Sequence, residues 1–146
     1  MSAQRERGEY IVCRRLTGLP DLARLRTSLC GLLFDAAPRL VVSVLLFLDE
    51  VCLNAFDSGD FPVLVTMLRA TDPHYLRIDI RGPRLVPPRR PDFMDIEHAA
   101  AGWGVTYDGG GTGVWAYLTL PMPEPARVRS PWSQLAMCLP RNPTLN

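Results

Sequence analysis

Residues 39–57 read RLVVSVLLFLDEVCLNAFD and form the longest apolar stretch of the chain. Pro38 can begin a helix here because its fixed φ suits a first helical position, and Ser58-Gly59-Asp60 can end it. Since apolar residues occur nearly all round this predicted helix, it belongs in the core of the protein. Ser43 and Asp49-Glu50 interrupt the apolar run, which is therefore too short and too polar for a membrane span.

Two polar side chains, Glu50 and Asn54, lie four residues apart in this helix and so share one of its faces. A carboxamide oxygen can ligate Mg²⁺, and a carboxylate beside it can orient or deprotonate an attacking group. A plainer interpretation is a solvated face, because exposed Glu and Asn are common. In a third interpretation the two side chains merely satisfy each other in a structural protein. The pair is the leading candidate site of the sequence.

The composition excludes several classes of function. The 146 residues are 47% hydrophobic and 21% charged, which suits one globular domain with a sizeable core. The net charge of +1 gives no electrostatic case for direct binding to nucleic acid or to a membrane surface. All 16 basic residues are Arg, which excludes a lysine nucleophile, a Schiff base and the Lys of a phosphate-binding P-loop.

The cysteines and the first residues indicate the compartment. No apolar signal-peptide segment follows Met1, so we expect a cytoplasmic protein with reduced thiols. The four cysteines form no CxxC pair, and the two histidines, His74 and His98, lie far from them in sequence. A zinc site is therefore not expected.

The rest of the sequence predicts strands around two helices. The first helix can be capped by Asp21, and the long helix of residues 39–57 follows it. Alternation of apolar and polar residues is clearest in Leu76-Arg-Ile-Asp-Ile-Arg81, which indicates a half-buried strand of an antiparallel pair. The predicted strands are Glu9–Thr17, Phe61–Ala70, Tyr75–Arg81, Trp103–Tyr107 and Val114–Leu120.

This order of elements favours an α+β fold, a two-layer α/β sandwich with helices on one face of a mostly antiparallel sheet. The folded domain is expected at residues 9–120, after a flexible N-terminus at residues 1–8. A short helix is expected at Asp92–Gly102. The tail, residues 121–146, contains six prolines and is expected to be extended or partly disordered.

One helix motif and one hairpin carry a family resemblance. Glu50-Val-Cys-Leu-Asn54-Ala55 is followed by Gly59, and the hairpin contains Trp103-Gly104-Val105 and Gly110-Gly111-Thr112-Gly113-Val114-Trp115. In this order the motifs resemble the Bergerat-fold ATPases of the GHKL superfamily, histidine-kinase-like ATPase domains. The closest likeness is to the bacterial anti-sigma-factor serine kinases and related ATP-binding regulators of actinomycetes. The resemblance covers about residues 9 to 120 and implies the Bergerat type of sandwich.

The resemblance also implies a site for ATP and Mg²⁺. Asn54 would hold Mg²⁺ against the phosphates, and Glu50 would act as catalytic base or position the attacking hydroxyl. Thr112 would lie near the adenine, and Gly104 belongs to the same hairpin motif. The γ-phosphoryl group would pass to a serine of an antagonist protein, a transfer that depends on positioning and metal-assisted charge neutralisation.

Two family features are replaced in this chain. Gly82 occupies the position of the Asp that accepts the adenine amino group, and the nearby Asp79 shares a strand face with Arg77 by alternation. The glycine turn that cradles phosphate is replaced by Asp92-Phe-Met-Asp95, whose charge and bulk oppose phosphate binding.

The sequence therefore predicts a regulator of the anti-sigma-factor type, with a weakened ATP site, that binds a sigma factor or an anti-sigma-factor antagonist. The alternative is an active serine/threonine kinase, which the Glu50–Asn54 pair favours. By the same resemblance, a homodimer is expected through the first strand, with Tyr10–Arg15 as the candidate interface.

Overall fold

The computed structural model describes residues 2–6, 9–71, 73–89, 91 and 100–120. Within these residues, two helices lie between the second and third of six strands. In chain order the elements are β1 (Ser2–Glu6), β2 (Glu9–Leu16), α1 (Leu19–Leu32), α2 (Pro38–Asp57), β3 (Val63–Thr71), β4 (His74–Gly82), β5 (Ala101–Asp108) and β6 (Gly111–Thr119).

All six strands belong to one sheet, in the spatial order β1-β2-β3-β4-β6-β5, and every neighbouring pair is antiparallel. Three of the connections are hairpins because short turns suffice between antiparallel neighbours. The connection that contains α1 and α2 joins β2 to β3, which also lie side by side. The hairpin β5–β6 adds to the sheet through β6, so that β5 becomes an outer strand.

Both helices cover one face of this sheet. The core joins the inward residues of α1 and α2 to alternate residues of the strands, among them Val65 of β3, Ile78 of β4 and Val114 of β6. Successive strand residues point to opposite faces, so the other set of strand residues forms a face without helices. We call this second surface the open face; Arg77 and Trp115 lie on it.

The predicted fold class is wrong. The structure is a sheet-rich antiparallel fold with two helices, and it contains more sheet than a two-layer sandwich of the Bergerat type. One part of this sheet that was not predicted lies at the N-terminus, where Ser2–Glu6 pairs with β2 as an additional strand. No strong pattern predicts this strand because it is short and carries charged residues.

The individual elements agree better with the sequence. The helix predicted from about Arg39 to Asp57 is α2, and each of the five predicted strands overlaps an observed one. The predicted helix at Asp92–Gly102 falls mostly on residues 92–99, and the Pro-rich tail on residues 121–146, which both lie outside the described residues. At its end the helix prediction is wrong, because Ala101 and Gly102 belong to β5. Of the two helices described, neither is long and apolar enough to cross a membrane.

Candidate functional site

A cleft of about 670 Å³ lies between the outer face of α2 and the loop that follows β4. Glu50 and Asn54 both line it, which follows from their spacing of one helical turn. The loop side is formed by Arg89 and Pro91, and the helix side mixes apolar with polar and charged side chains. The helix contributes Ser43, Leu46, Phe47, Asp49, Glu50, Leu53 and Asn54.

Glu50 is held by the loop. Its Oε2 accepts a hydrogen bond from the backbone N–H of Arg89 at 2.9 Å, and the Nε of the Arg89 side chain is 3.7 Å from the same oxygen. The Glu50 side chain is 28% exposed, whereas that of Arg89 is 91% exposed. Because the contact uses a backbone donor, it fixes the carboxylate more firmly than the exposed ion pair alone would. Glu50 is therefore not on a freely solvated face.

Asp49, the neighbour of Glu50, is directed to the other helix. Its Oδ1 accepts a hydrogen bond from the Nε of Arg26 on α1 at 2.8 Å, and this bond raises the pKa of the Arg26 guanidinium. Cys52, one turn further along α2, is completely buried beneath this pair. The ion pair connects α1 to α2 and places one further carboxylate beside the cleft.

Gly82 and Thr112 lie together but do not line the cleft. They are opposite each other in the β4–β6 ladder, and both are buried. A side chain at position 82 would collide with Leu85, since a Cβ there would lie 2.7 Å from the Leu85 Cδ2. The loop after β4 thus packs an apolar side chain over the position where the resemblance expects a carboxylate.

Asp79 and Gly104 lie on the open face of the sheet, away from Glu50 and Asn54. Asp79 binds Arg77 through both carboxylate oxygens, at 2.9 and 3.0 Å. The Arg77 guanidinium lies 5.6 Å from the centre of the Trp115 ring, and that ring covers Gly104 so closely that a Cβ would lie 2.8 Å from it. Strand alternation separates both residues from the cleft.

The structure thus brings two of the predicted site residues together and leaves the other four apart from them. Glu50 and Asn54 share the cleft, Gly82 and Thr112 form a separate buried pair, and Asp79 and Gly104 are on the opposite surface. Arg89 and Leu46 were not among the predicted site residues. Arg89 had one signal, its place in a loop rich in Pro and Arg; its pairing with Glu50, 39 residues away, has no local signature.

The charge of the cleft is poorly suited to a triphosphate. Glu50 and Asp49 are both on its wall, and among the described residues that line it Arg89 is the only cationic one. The Arg89 guanidinium lies against Glu50, so its charge is partly neutralised there. Among the residues that the structure describes, no group of three or more His, Cys, Asp or Glu could hold a metal ion.

No protein-family model matches this chain, and no curated protein matches it either.

Proposed function

We propose that this protein is a regulator that acts by binding another protein, in the manner of an anti-sigma factor. Its partner would be a sigma factor or an anti-sigma-factor antagonist, and nucleotide would contribute little. The observation that carries the proposal is the contact between Glu50 and Arg89. The carboxylate that the motif resemblance assigns to catalysis is already bonded to the protein's own backbone.

The cleft has the properties of a surface that receives a protein side chain. Its wall combines apolar side chains with two carboxylates, and Leu46 is 55% exposed there. Exposed apolar residues beside charged ones are typical of the centre and rim of protein interfaces. An apolar anchor from the partner would fit against Leu46, with a basic group of the partner near Asp49 and Glu50.

The second candidate is an ATP-dependent serine/threonine kinase, with Asn54 as ligand of Mg²⁺ and Glu50 as base. One observation favours it: Glu50 and Asn54 line the same cleft, whose volume is in the range of small-molecule sites, roughly 300 to 1,000 Å³. Against it are the pair of carboxylates on the wall and the apolar packing of Leu85 over Gly82. We therefore rank the kinase second.

A binding assay with purified bacterial sigma factors and anti-sigma-factor antagonists tests the proposal. We expect one member of the panel to bind without ATP, and we expect Leu46→Arg to weaken this binding at least about tenfold, the effect of about 1.4 kcal/mol at an interface residue. Leu19→Arg is the matched control, because Leu19 is 60% exposed on α1 and does not line the cleft. Failure of every member to bind, or binding that requires Mg–ATP, would contradict the proposal.

A further inference from the structure

The strand β5 is one edge of the sheet, and in the described part of the chain it pairs with β6 alone. The direction of its backbone groups follows from one hydrogen bond. The carbonyl of Ala100 accepts the N–H of Thr119, so even-numbered residues of β5 face β6. The odd-numbered residues therefore direct their N–H and C=O groups outward, away from the sheet. These are Ala101, Trp103, Val105 and Tyr107.

The two edges of the sheet differ in their protection against another strand. The edge strand β1 carries Arg5 and Glu6 within five residues. Along β5, AGWGVTYD, the sole charged residue is the last, Asp108, and there is no proline. Charges and prolines are the usual means by which edge strands avoid pairing with other chains, and β5 lacks them over seven residues. Tyr107 is in addition 72% exposed, the largest exposed fraction among the large hydrophobic side chains described.

We propose that β5 is the interface of a homodimer, in which the β5 strands of two copies pair antiparallel about Val105. A two-fold axis through such a pair is perpendicular to the sheet, so both copies keep their helices on the same side. Side chains that lie opposite each other across the interface must then point to the same face of the joined sheet. With Val105 opposite its own copy, Trp103 lies opposite Tyr107 of the second copy, and this contact occurs twice.

In this register the outward backbone groups form hydrogen bonds, and the side chains that lie opposite each other are compatible. Val105, Trp103 and Tyr107 are all odd-numbered, so their outward groups form about six new backbone hydrogen bonds. The aromatic pairs bury the exposed Tyr107 ring, and cross-strand aromatic pairs are among the most favourable. Asp108 would lie opposite Gly102 of the second copy, where it meets no carboxylate. The second copy is thus a chemically suitable occupant of this edge.

The dimer surface that the family resemblance implies cannot pair with a strand of a second copy. Tyr10–Arg15 belongs to β2, which is paired with β1 on one side and with β3 on the other. Its backbone groups are already used in the sheet, so they cannot add a strand. The homodimer proposed here uses the opposite edge and is independent of the partner protein proposed above.

Sedimentation velocity of the full chain over a wide concentration range tests this interface. We expect the mass to approach twice the 16.3 kDa of one chain as the concentration rises through the micromolar range. Val105→Pro removes an outward N–H without removing a bond to β6, and proline is tolerated at such edge positions. Tyr107→Lys places a charge on the edge at an exposed position. Both variants should weaken dimerisation at least about tenfold.

Val42→Lys is the matched control for the charge, since Val42 is 54% exposed on α2, away from β5. It should dimerise as the unmodified protein does. Circular dichroism of each variant checks that it is folded, and Tyr107→Lys alone decides the matter if Val105→Pro does not fold. A mass of one chain at every concentration would overturn the proposal. So would a dimer that Tyr107→Lys leaves unchanged.

Discussion

Glu50 lies between α2 and the loop that carries Arg89, and its environment determines what it can do. The backbone N–H of Arg89 occupies one carboxylate oxygen, and the guanidinium is on the same side. For Glu50 to accept a proton from a substrate hydroxyl, this oxygen would have to exchange its partner or the other oxygen would have to act. Asn54, one turn further along, shares the cleft. Glu50 is thus held in a structural contact with Arg89 through one of its two carboxylate oxygens.

The burial of Cys52 determines how readily its thiol reacts. Burial, the largest cause, and the nearby Asp49 carboxylate together raise the pKa of its thiol to about 12, with Arg26 acting in the opposite direction. Because the thiolate is the reactive form, Cys52 should resist alkylation in the native protein at about pH 8. Cys13 and Cys30 are exposed and should react. Peptide mapping by mass spectrometry after brief treatment with iodoacetamide measures this; rapid modification of Cys52 in the folded protein would contradict the packing of α2.

Polar contacts hold the helix α1 in place at both of its ends. Near its beginning, Asp21 accepts hydrogen bonds from the backbone N–H and the hydroxyl of Thr17, at 2.8 and 3.0 Å, and from Arg24. At its end, Arg69 of β3 reaches the carbonyl of Leu32 at 2.7 Å and binds Asp35. Cationic groups at a helix C-terminus are favourable because they satisfy carbonyls and complement the helix dipole.

Replacement of Arg69 should detach the end of α1. Arg69 is buried, and Arg69→Met leaves the Leu32 carbonyl and the Asp35 carboxylate without this partner. Loss of one member of a buried pair costs about 3 to 5 kcal/mol, and because Asp35 is about one-third exposed we expect about 2 kcal/mol. Chemical denaturation gives the free energy of unfolding. Exposed Arg24→Met is the control, with an expected change below about 1 kcal/mol; an equal effect of both substitutions would refute the role of Arg69.

The contacts of Asp21 at the beginning of α1 make the stability of the protein depend on pH. The hydrogen bond from the Thr17 backbone, followed by the contact with Arg24, lowers the pKa of Asp21 below its usual value of 3.8. The stabilisation is therefore complete above pH about 4 and is lost as the pH falls through the lower, folded pKa. Melting temperatures measured between about pH 6 and 2 should consequently fall more steeply for the unmodified protein than for Asp21→Asn. Parallel curves would show that the contacts of Asp21 do not contribute.

At the scale of the whole molecule, local patterns predicted the elements but not their assembly. The apolar run before Asp57 and the alternation in Leu76–Arg81 identified α2 and β4 because burial of one face imposes a period on the sequence. The predicted class of fold was wrong because the protein is richer in sheet than a Bergerat sandwich; one of its strands, β1, has a short, charged sequence with no such period. The contacts of Glu50 and Asp49 were also not predictable, since Arg89 and Arg26 are distant along the chain and charged pairs leave no pattern.

In the candidate site, too, local helix geometry was predictable from the sequence and the assembly of the sheet was not. The i, i+4 spacing was sufficient to predict that Glu50 and Asn54 share a surface, because helix geometry alone determines it. Thr112 and Gly104 were joined to that site by the resemblance, but neither lines the cleft: Thr112 is buried beside Gly82 on the helix-covered face, and Gly104 lies beneath Trp115 on the open face. Which surface a strand residue occupies depends on the register of the whole sheet.

Titration calorimetry of the full chain with ATP and Mg²⁺ tests the proposal that the protein acts by binding another protein, with little contribution from nucleotide. The cleft carries two carboxylates, and Glu50 is engaged with Arg89. We therefore predict no binding heat at millimolar ATP, for the unmodified protein and for Asn54→Ala alike, with both folded by circular dichroism. Micromolar binding that disappears in Asn54→Ala would contradict the account and establish Glu50 and Asn54 as a working nucleotide site.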